Sequence, residues 1–198
     1  MLWTLLAVVS AMFLGLYDVA KKSSLKSNPV ISVLAVSTGI SAIFFIPFAL
    51  NQIFGLGWFG GTMFDIAEAA PRDYLLVFFK TIIVYLSWIL SYFGLKTTPL
   101  SIYGPLNASR PMLVLLGAIA IYGERLNVYQ WIGIVLAIGS LFMLSISSRK
   151  NEGIDFRHNR GIWCVALGMV FGAASALYDK FLLVRMDNMF VQTWVVIF

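Results

Sequence analysis

Three polar residues stand at helical spacing inside an otherwise apolar run: Tyr103, Asn107 and Arg110. Intervals of four and three place them on one face of a helix. Arg110 falls about nine residues into that run, roughly 14 Å along a helix axis. In lipid a charge at that depth costs at least about 2.5–3.5 kcal/mol unless it meets a partner or a wet cavity. Pro105 and Pro111 flank the set, and each removes a backbone donor and frees a carbonyl for other partners. A broken helix carrying polar groups at depth suits a ligand cavity. The plainer alternative is a shallower Arg110 that pairs at an interface. Asn107-Ala108-Ser109 also fits a glycosylation sequon, but an acceptor must sit in an exposed loop, so that role is set aside.

Aromatic and ionisable residues elsewhere repeat the pattern. Tyr85, Trp88 and Tyr92 follow spacings of three and four, and their rings could stack on an amphipathic ligand. Packing or an interfacial aromatic belt accounts for them equally well. Tyr17, Asp18 and Lys21 lie together near the end of the first apolar run, with Asp18 and Lys22 at a helical pairing distance. Asp18 could carry a coupling proton, although an interfacial salt bridge to Lys22 is the simpler role. Tyr178, Asp179 and Lys180 look like its counterparts further on. The expected cavity set is therefore Tyr17, Trp88, Tyr92, Tyr103, Asn107, Arg110 and Tyr178, with Asp18 and Asp179 as coupling candidates.

Catalysis finds little to work with. Cys164 is the single cysteine and His158 the single histidine, which excludes an intramolecular disulfide, a cysteine-based metal site and a histidine-rich one. There is no Gly-rich phosphate loop after a strand and no zinc spacing. No enzyme, metal or cofactor is expected. The formal charge is +5, but the Lys and Arg lie in short clusters between apolar runs, a pattern that reports membrane topology rather than nucleic-acid binding.

These residues have to be positioned by helices in a bilayer. The chain is 60% hydrophobic and 12% charged, with a mean hydropathy of +0.88. A soluble domain carries about 25% charge, and a chain this apolar cannot cover itself with polar surface. Spans are expected at about Leu2–Ala20, Val30–Ile53, Tyr74–Leu95, Ser101–Tyr122, Val128–Ile146 and Gly161–Leu183, with a seventh running from Asn188 to Phe198. Met1 to Tyr17 carries no charge and outruns a signal-peptide core, so the first segment reads as a permanent span. Lys80, near the start of the third span, is expected to snorkel to the interface. The seventh run, about eleven residues, covers only about 16 Å of a core about 30 Å thick. An incomplete last span, and so a fragment, is the expectation.

Aligning Leu16-Tyr17-Asp18 on Leu177-Tyr178-Asp179 also lays Val30 on Val191, and Ala7, Ala11 and Gly15 on Gly168, Gly172 and Ala176. Small residues at every fourth position let helices approach closely in lipid. This suggests a duplication: residues 1–148 as a five-helix repeat, 149–160 as a charged linker and 161–198 as a truncated second copy. Five is odd, so the copies enter from opposite sides, the inverted repeat of many secondary transporters, with a substrate site near midplane. The basic residues Lys21, Lys22, Lys26, Lys96, Arg149, Lys150, Arg157 and Arg160 outnumber Arg72, Arg125, Lys180 and Arg185 on the other side. That favours a cytoplasmic face for the larger group and an outside N-terminus.

The stretch Leu90-Ser91-Tyr92-Phe93-Gly94-Leu95-Lys96-Thr97-Thr98-Pro99-Leu100-Ser101 looks like the junction of spans three and four in EamA-domain proteins of the drug/metabolite transporter superfamily. Arg110-Pro111, then Gly123-Glu124-Arg125-Leu126 and Trp131-Ile132-Gly133-Ile134-Val135-Leu136, resembles the end of that domain. The resemblance spans nearly all of 1–148 as one unit, and 161–198 looks like the opening of a second. It implies an all-α integral membrane protein, about seven helices of a ten-helix inverted five-plus-five repeat. Such a protein would sit multi-pass in the cytoplasmic (inner) membrane and export small organic metabolites such as amino acids by alternating access. It also implies cytoplasmic termini, against the charge count, so orientation stays open. The membrane glutamate of the small multidrug resistance relatives has no equivalent in span one, and Glu124 suits a cap or salt bridge. The implied partners are a small-molecule substrate, lipid, a coupling ion and a second copy of the chain in a homodimer. A sugar-phosphate or nucleotide-sugar exchanger is the runner-up. A non-transporting membrane subunit or scaffold is the alternative of another class.

Overall fold

Backbone N–H and C=O groups in lipid must be paired within their own segment, so long apolar runs become helices. The computed structural model describes residues 2–62, 64, 66, 69–123, 125–151 and 158–198, with side chains for all of these except 2, 3, 145 and 148–151. Asp65, Glu68, Glu124 and the linker residues Glu152, Asp155 and Arg157 lie outside the described residues, as do the side chains of Arg149 and Lys150. Among the described residues eight helices follow in order: α1 Leu2–Ser27, α2 Val30–Phe54, α3 Pro71–Thr97, α4 Leu100–Ala108, α5 Arg110–Tyr122, α6 Val128–Asn151, α7 Arg160–Leu183 and α8 Asn188–Ile197. No strand occurs among the described residues.

Among the described residues five units are long and apolar enough to cross a membrane: Thr4–Ser27, α2, α3, the broken pair Leu100–Tyr122, and α7; Val128–Leu144 and α8 are shorter apolar helices. Large apolar side chains such as Phe13, Phe44, Val135 and Met143 lie exposed on the outside of the bundle. Water would not tolerate so much apolar surface, whereas lipid covers it. The chain is an all-α, multi-pass integral membrane protein.

Local chemistry sets the ends. Gly55 and Gly123 close α2 and α5 with φ of 59° and 64°, the left-handed turn in which glycine avoids a Cβ penalty. Pro71 opens α3 where its missing N–H is harmless, and the Asp73 carboxylate accepts the Ala70 N–H at 3.1 Å. Asn159 Oδ1 accepts the Gly161 and Ile162 amides to start α7, and the Asp187 side chain accepts that of Met189 to start α8.

The centre is the contact of α3 with α7. A Cβ on Gly168 would stand 2.7 Å from Ser91 Oγ, and one on Gly94 would stand 3.0 Å from the Val165 nitrogen. Only hydrogen fits at either place. Ser87 Oγ donates to the Gly168 carbonyl at 2.8 Å, a hydrogen bond between helices in the gap the glycine opens. Near the C-terminal end of α3, Leu25, Leu34, Tyr92, Leu95, Tyr103, Val165 and Met169 form one core cluster. A second joins Val77, Val84 and Leu182 to α8 through Phe190 and Trp194, with the Tyr74 ring edge-on to both at 5.1 and 4.9 Å. Trp194 Nε1–H donates to Gln52 Oε1 at 2.9 Å and ties α8 to α2.

Helix directions follow from these contacts. Lys22 Nζ, near the end of α1, donates to the Leu95 and Thr98 carbonyls at the end of α3, so α1 and α3 run the same way. The first turn of α7 starts at those same residues, with Gly161 against Thr97 and Thr98, so α7 runs opposite to both. Asp18 and Asp179 therefore lie towards opposite ends of the bundle.

Three expectations are corrected. Lys80 does not snorkel: it is 5% exposed and ion-paired with Asp179 of α7. Among the described residues no bridge joins Asp18 to Lys22, because the Lys22 ammonium is taken up by the open carbonyls at the end of α3. The small stripe of α1 is exposed, with nothing within 4 Å of a Cβ built on Gly15, whereas the matching stripe of α7 is packed at Gly168 and Gly172.

Gly168→Leu should destabilise the purified protein by at least the roughly 1–3 kcal/mol of an overpacked core, while Gly15→Leu should leave it unchanged. Thermal unfolding in detergent, with membrane yield as the insertion control, checks the pair.

Candidate functional site

Span four breaks at Ser109, two residues before Pro111, whereas Pro105 lies inside the unbroken helix α4. Ser109 leaves helical geometry at φ −85°, ψ 0°, and its hydroxyl donates to the Leu106 carbonyl at 2.5 Å, replacing part of the lost backbone pairing. Pro111, in the first turn of α5, lacks the N–H that would have continued the ladder across the break. The break lets α5 open on a new axis with Arg110 as its first residue.

The Arg110 side chain crosses to α7. Its guanidinium lies flat against Gly172, where any Cβ would collide with it. Nη2 donates to Ser87 Oγ at 3.2 Å, the same hydroxyl that donates to the Gly168 carbonyl. Nε is buried without a hydrogen-bond partner. Among the described residues no carboxylate is ion-paired with Arg110. A planar, always-charged group is thus held by one hydroxyl and a glycine face, with donor capacity left over.

The remaining expected residues do not gather into one chamber. Tyr17, Trp88 and Tyr92 line hollows between α1, α2 and α3, the larger of about 520 Å³ and its neighbour of about 180 Å³. The Tyr17 and Tyr92 hydroxyls stand 3.4 Å apart. Tyr178 lines a separate, largely apolar hollow of about 600 Å³ with Leu113, Tyr122, Leu177 and Phe181. There the Tyr122 hydroxyl donates to the Leu177 carbonyl at 2.7 Å. Tyr103 is 2% exposed inside the core, and Asn107 is half-buried on the same short helix. Asp18 is half-buried, near enough to Lys21 and Tyr103 for its charge to act on both.

Lys21, Ser24 and Ser37 enter the larger hollow without having been picked out as site residues. A signal for the first two existed. Tyr17, Lys21 and Ser24 follow intervals of four and three on one face of α1, and Asn28 comes four residues later, just past the helix end. Ser87 and Gly172 were missed as supports of Arg110 because each belongs to a helix distant in sequence. Among the described residues no group of His, Cys, Asp or Glu could hold a metal ion.

A lipid-facing helical bundle with a broken span and buried cations defines a polytopic membrane protein with polar groups between its spans. Residues 1–146 match the EamA-like transporter family, and the chain belongs to that family. It is 28% identical over 129 residues to the uncharacterized transporter YetK of Bacillus subtilis, covering 63% of this chain and 37% of that protein. It is 25% identical over 153 residues to an uncharacterized transporter of Archaeoglobus fulgidus, covering 77% of this chain and 51% of that protein. The chain thus spans about half the length, or less, of the curated relatives it matches. No solved structure matches it.

Removing one partner of the Lys80–Asp179 pair should cost between the roughly 1 kcal/mol of an exposed pair and the about 3–5 kcal/mol of a fully buried one. In a double-mutant cycle, Lys80→Met with Asp179→Leu should lose less than the two single changes added together. Unfolding in detergent measures all three.

Proposed function

We propose that this chain belongs to a secondary transporter that exports small organic metabolites, amino acids among them, by alternating access around a polar site at mid-membrane. Residues 1–148 act as one five-helix repeat, 149–160 as its linker and 161–198 as the opening of an inverted second repeat. The observation that carries this reading is Arg110. A guanidinium at a break in a span, with one neutral acceptor and a buried donor left unpartnered, is unstable in lipid unless something polar visits it. Family membership and two relatives named as transporters agree with that use.

The antiparallel course of α1 and α7 supports the inverted arrangement, since copies related by an in-plane axis must present equivalent helices in opposite directions. Tyr17, Trp88, Tyr92, Tyr103, Asn107 and Arg110 are the proposed cavity residues, and Tyr178 is a proposed lining residue of the separate hollow. Asp18 is the better coupling candidate, because its carboxylate is not ion-paired among the described residues. Asp179 could act only by releasing Lys80 first. The cytoplasmic (inner) membrane is the proposed location, and the chemistry is movement rather than catalysis.

Profiling the metabolites that cells release with and without the gene should show a small set of amphipathic compounds rising with it. In vesicles loaded with such a compound, Arg110→Leu should reduce efflux to the level of empty membranes while the protein still inserts in normal amount. Efflux unchanged by the substitution would remove Arg110 from the transport site.

A further inference from the structure

Lys21 is the one basic side chain lining the largest hollow between α1, α2 and α3. Its Nζ stands 4.8 Å from the centre of the Tyr17 ring and 4.2 Å from that of Tyr92. Among the described residues it has no ion pair and no hydrogen-bond acceptor, although an ammonium carries three donors. The two ring faces attract the cation through their quadrupoles but accept no conventional hydrogen bond. Asp18, three residues earlier, influences Lys21 without touching it, and Arg110 adds a second positive charge nearby. Of the cations at this end of the bundle, Lys22 is engaged by the carbonyls that end α3 and Lys96 by the Asn28 carbonyl, while Arg110 reaches away to Ser87.

The rest of the lining sorts the ligand. Ser24, Ser37 and Asn28 offer neutral polar groups, and Val33, Val36 and Ile40 form an apolar wall. A volume of about 520 Å³ is within the usual range for a small organic molecule. A phosphate would call for two or more convergent cations, preferably a forked arginine, and Arg110 does not line this hollow. One flexible ammonium between two rings suits a single carboxylate on an apolar or aromatic body.

We infer that Lys21, clamped between Tyr17 and Tyr92, is the recognition group for the carboxylate of a monoanionic, largely apolar small molecule held between α1, α2 and α3. This rests on the transport reading above and names its substrate class. It places Lys21, with the Tyr17 and Tyr92 rings, as the specificity-determining set, and it separates that role from Arg110.

The test is binding of radiolabelled phenylpropionate to the purified protein in detergent, with competition by its neutral amide and by phenyl phosphate. The acid should bind at least roughly tenfold more tightly than the amide, the scale of one charge-assisted hydrogen bond. Lys21→Met should lower the acid to the level of the amide, and Lys21→Arg should keep the preference. Equal binding of acid and amide, or a preference that survives Lys21→Met, overturns the assignment. Displacement by phenyl phosphate at lower concentration than by the acid itself overturns it in favour of a phosphate site. If Lys21→Met does not fold, the acid–amide comparison in the unaltered protein still decides. Acid preference with no movement into proteoliposomes refutes the transport reading alone. Gene-dependent metabolite release without any acid preference refutes this inference alone.

Discussion

The close approach of α7 to α3 is the contact on which the rest of the bundle depends. Lipid tails are as apolar as leucine, so helices in a membrane gain nothing from hiding apolar surface from one another. They adhere through close packing and through polar bonds that have no better partner nearby. Gly94, Gly161 and Gly168 remove the side chains that would hold the two backbones apart, and Ser87 fills the gap with a hydrogen bond to a carbonyl. The Lys80–Asp179 pair fastens the other end. With α3 and α7 joined, α8 finds its place through Tyr74, Phe190 and Trp194, and α1 hangs from the carbonyls that end α3.

Charge inside the bundle is dealt with in four different ways. Lys80 has a carboxylate, Lys22 has backbone carbonyls, Arg110 has a hydroxyl and a glycine face, and Lys21 has two aromatic rings. The first two meet the charge with a carboxylate or with several carbonyl oxygens. The last two meet it with no anion and leave donors over. That difference, rather than the mere presence of a charge within a span, is what the proposed division between structural cations and ligand-facing ones rests on.

The helices could be read from the sequence because lipid imposes one rule on every segment. Val30–Ile53 and Gly161–Leu183 were expected, and the helices run Val30–Phe54 and Arg160–Leu183. The break in span four was visible in Pro111, since its missing donor acts locally, whereas Pro105 leaves α4 unbroken. Side-chain partners were not readable in the same way. Periodicity says which residues share a face but not which helix that face meets. Lys80 was placed by depth alone, although Asp179, about a hundred residues later, captures it. Asp18 and Lys22 have the spacing of an ion pair, yet a third helix ending beside them offers Lys22 stronger company. Of the expected cavity residues, Tyr17, Trp88 and Tyr92 line hollows beside α2, and Lys21, not among them, lines the same space because of where α2 packs.

The glycine seam also bears on motion. Opening a membrane path requires one group of helices to tilt against another, and the intuitive hinge lies between the residues before and after the charged linker. Yet the first helix after that linker is locked, along most of its length, to the third helix before it. Any tilt would carry the two as one rod. The rigid parts of this bundle are therefore drawn by its glycines, and their border does not coincide with the boundary between residues 1–148 and 161–198.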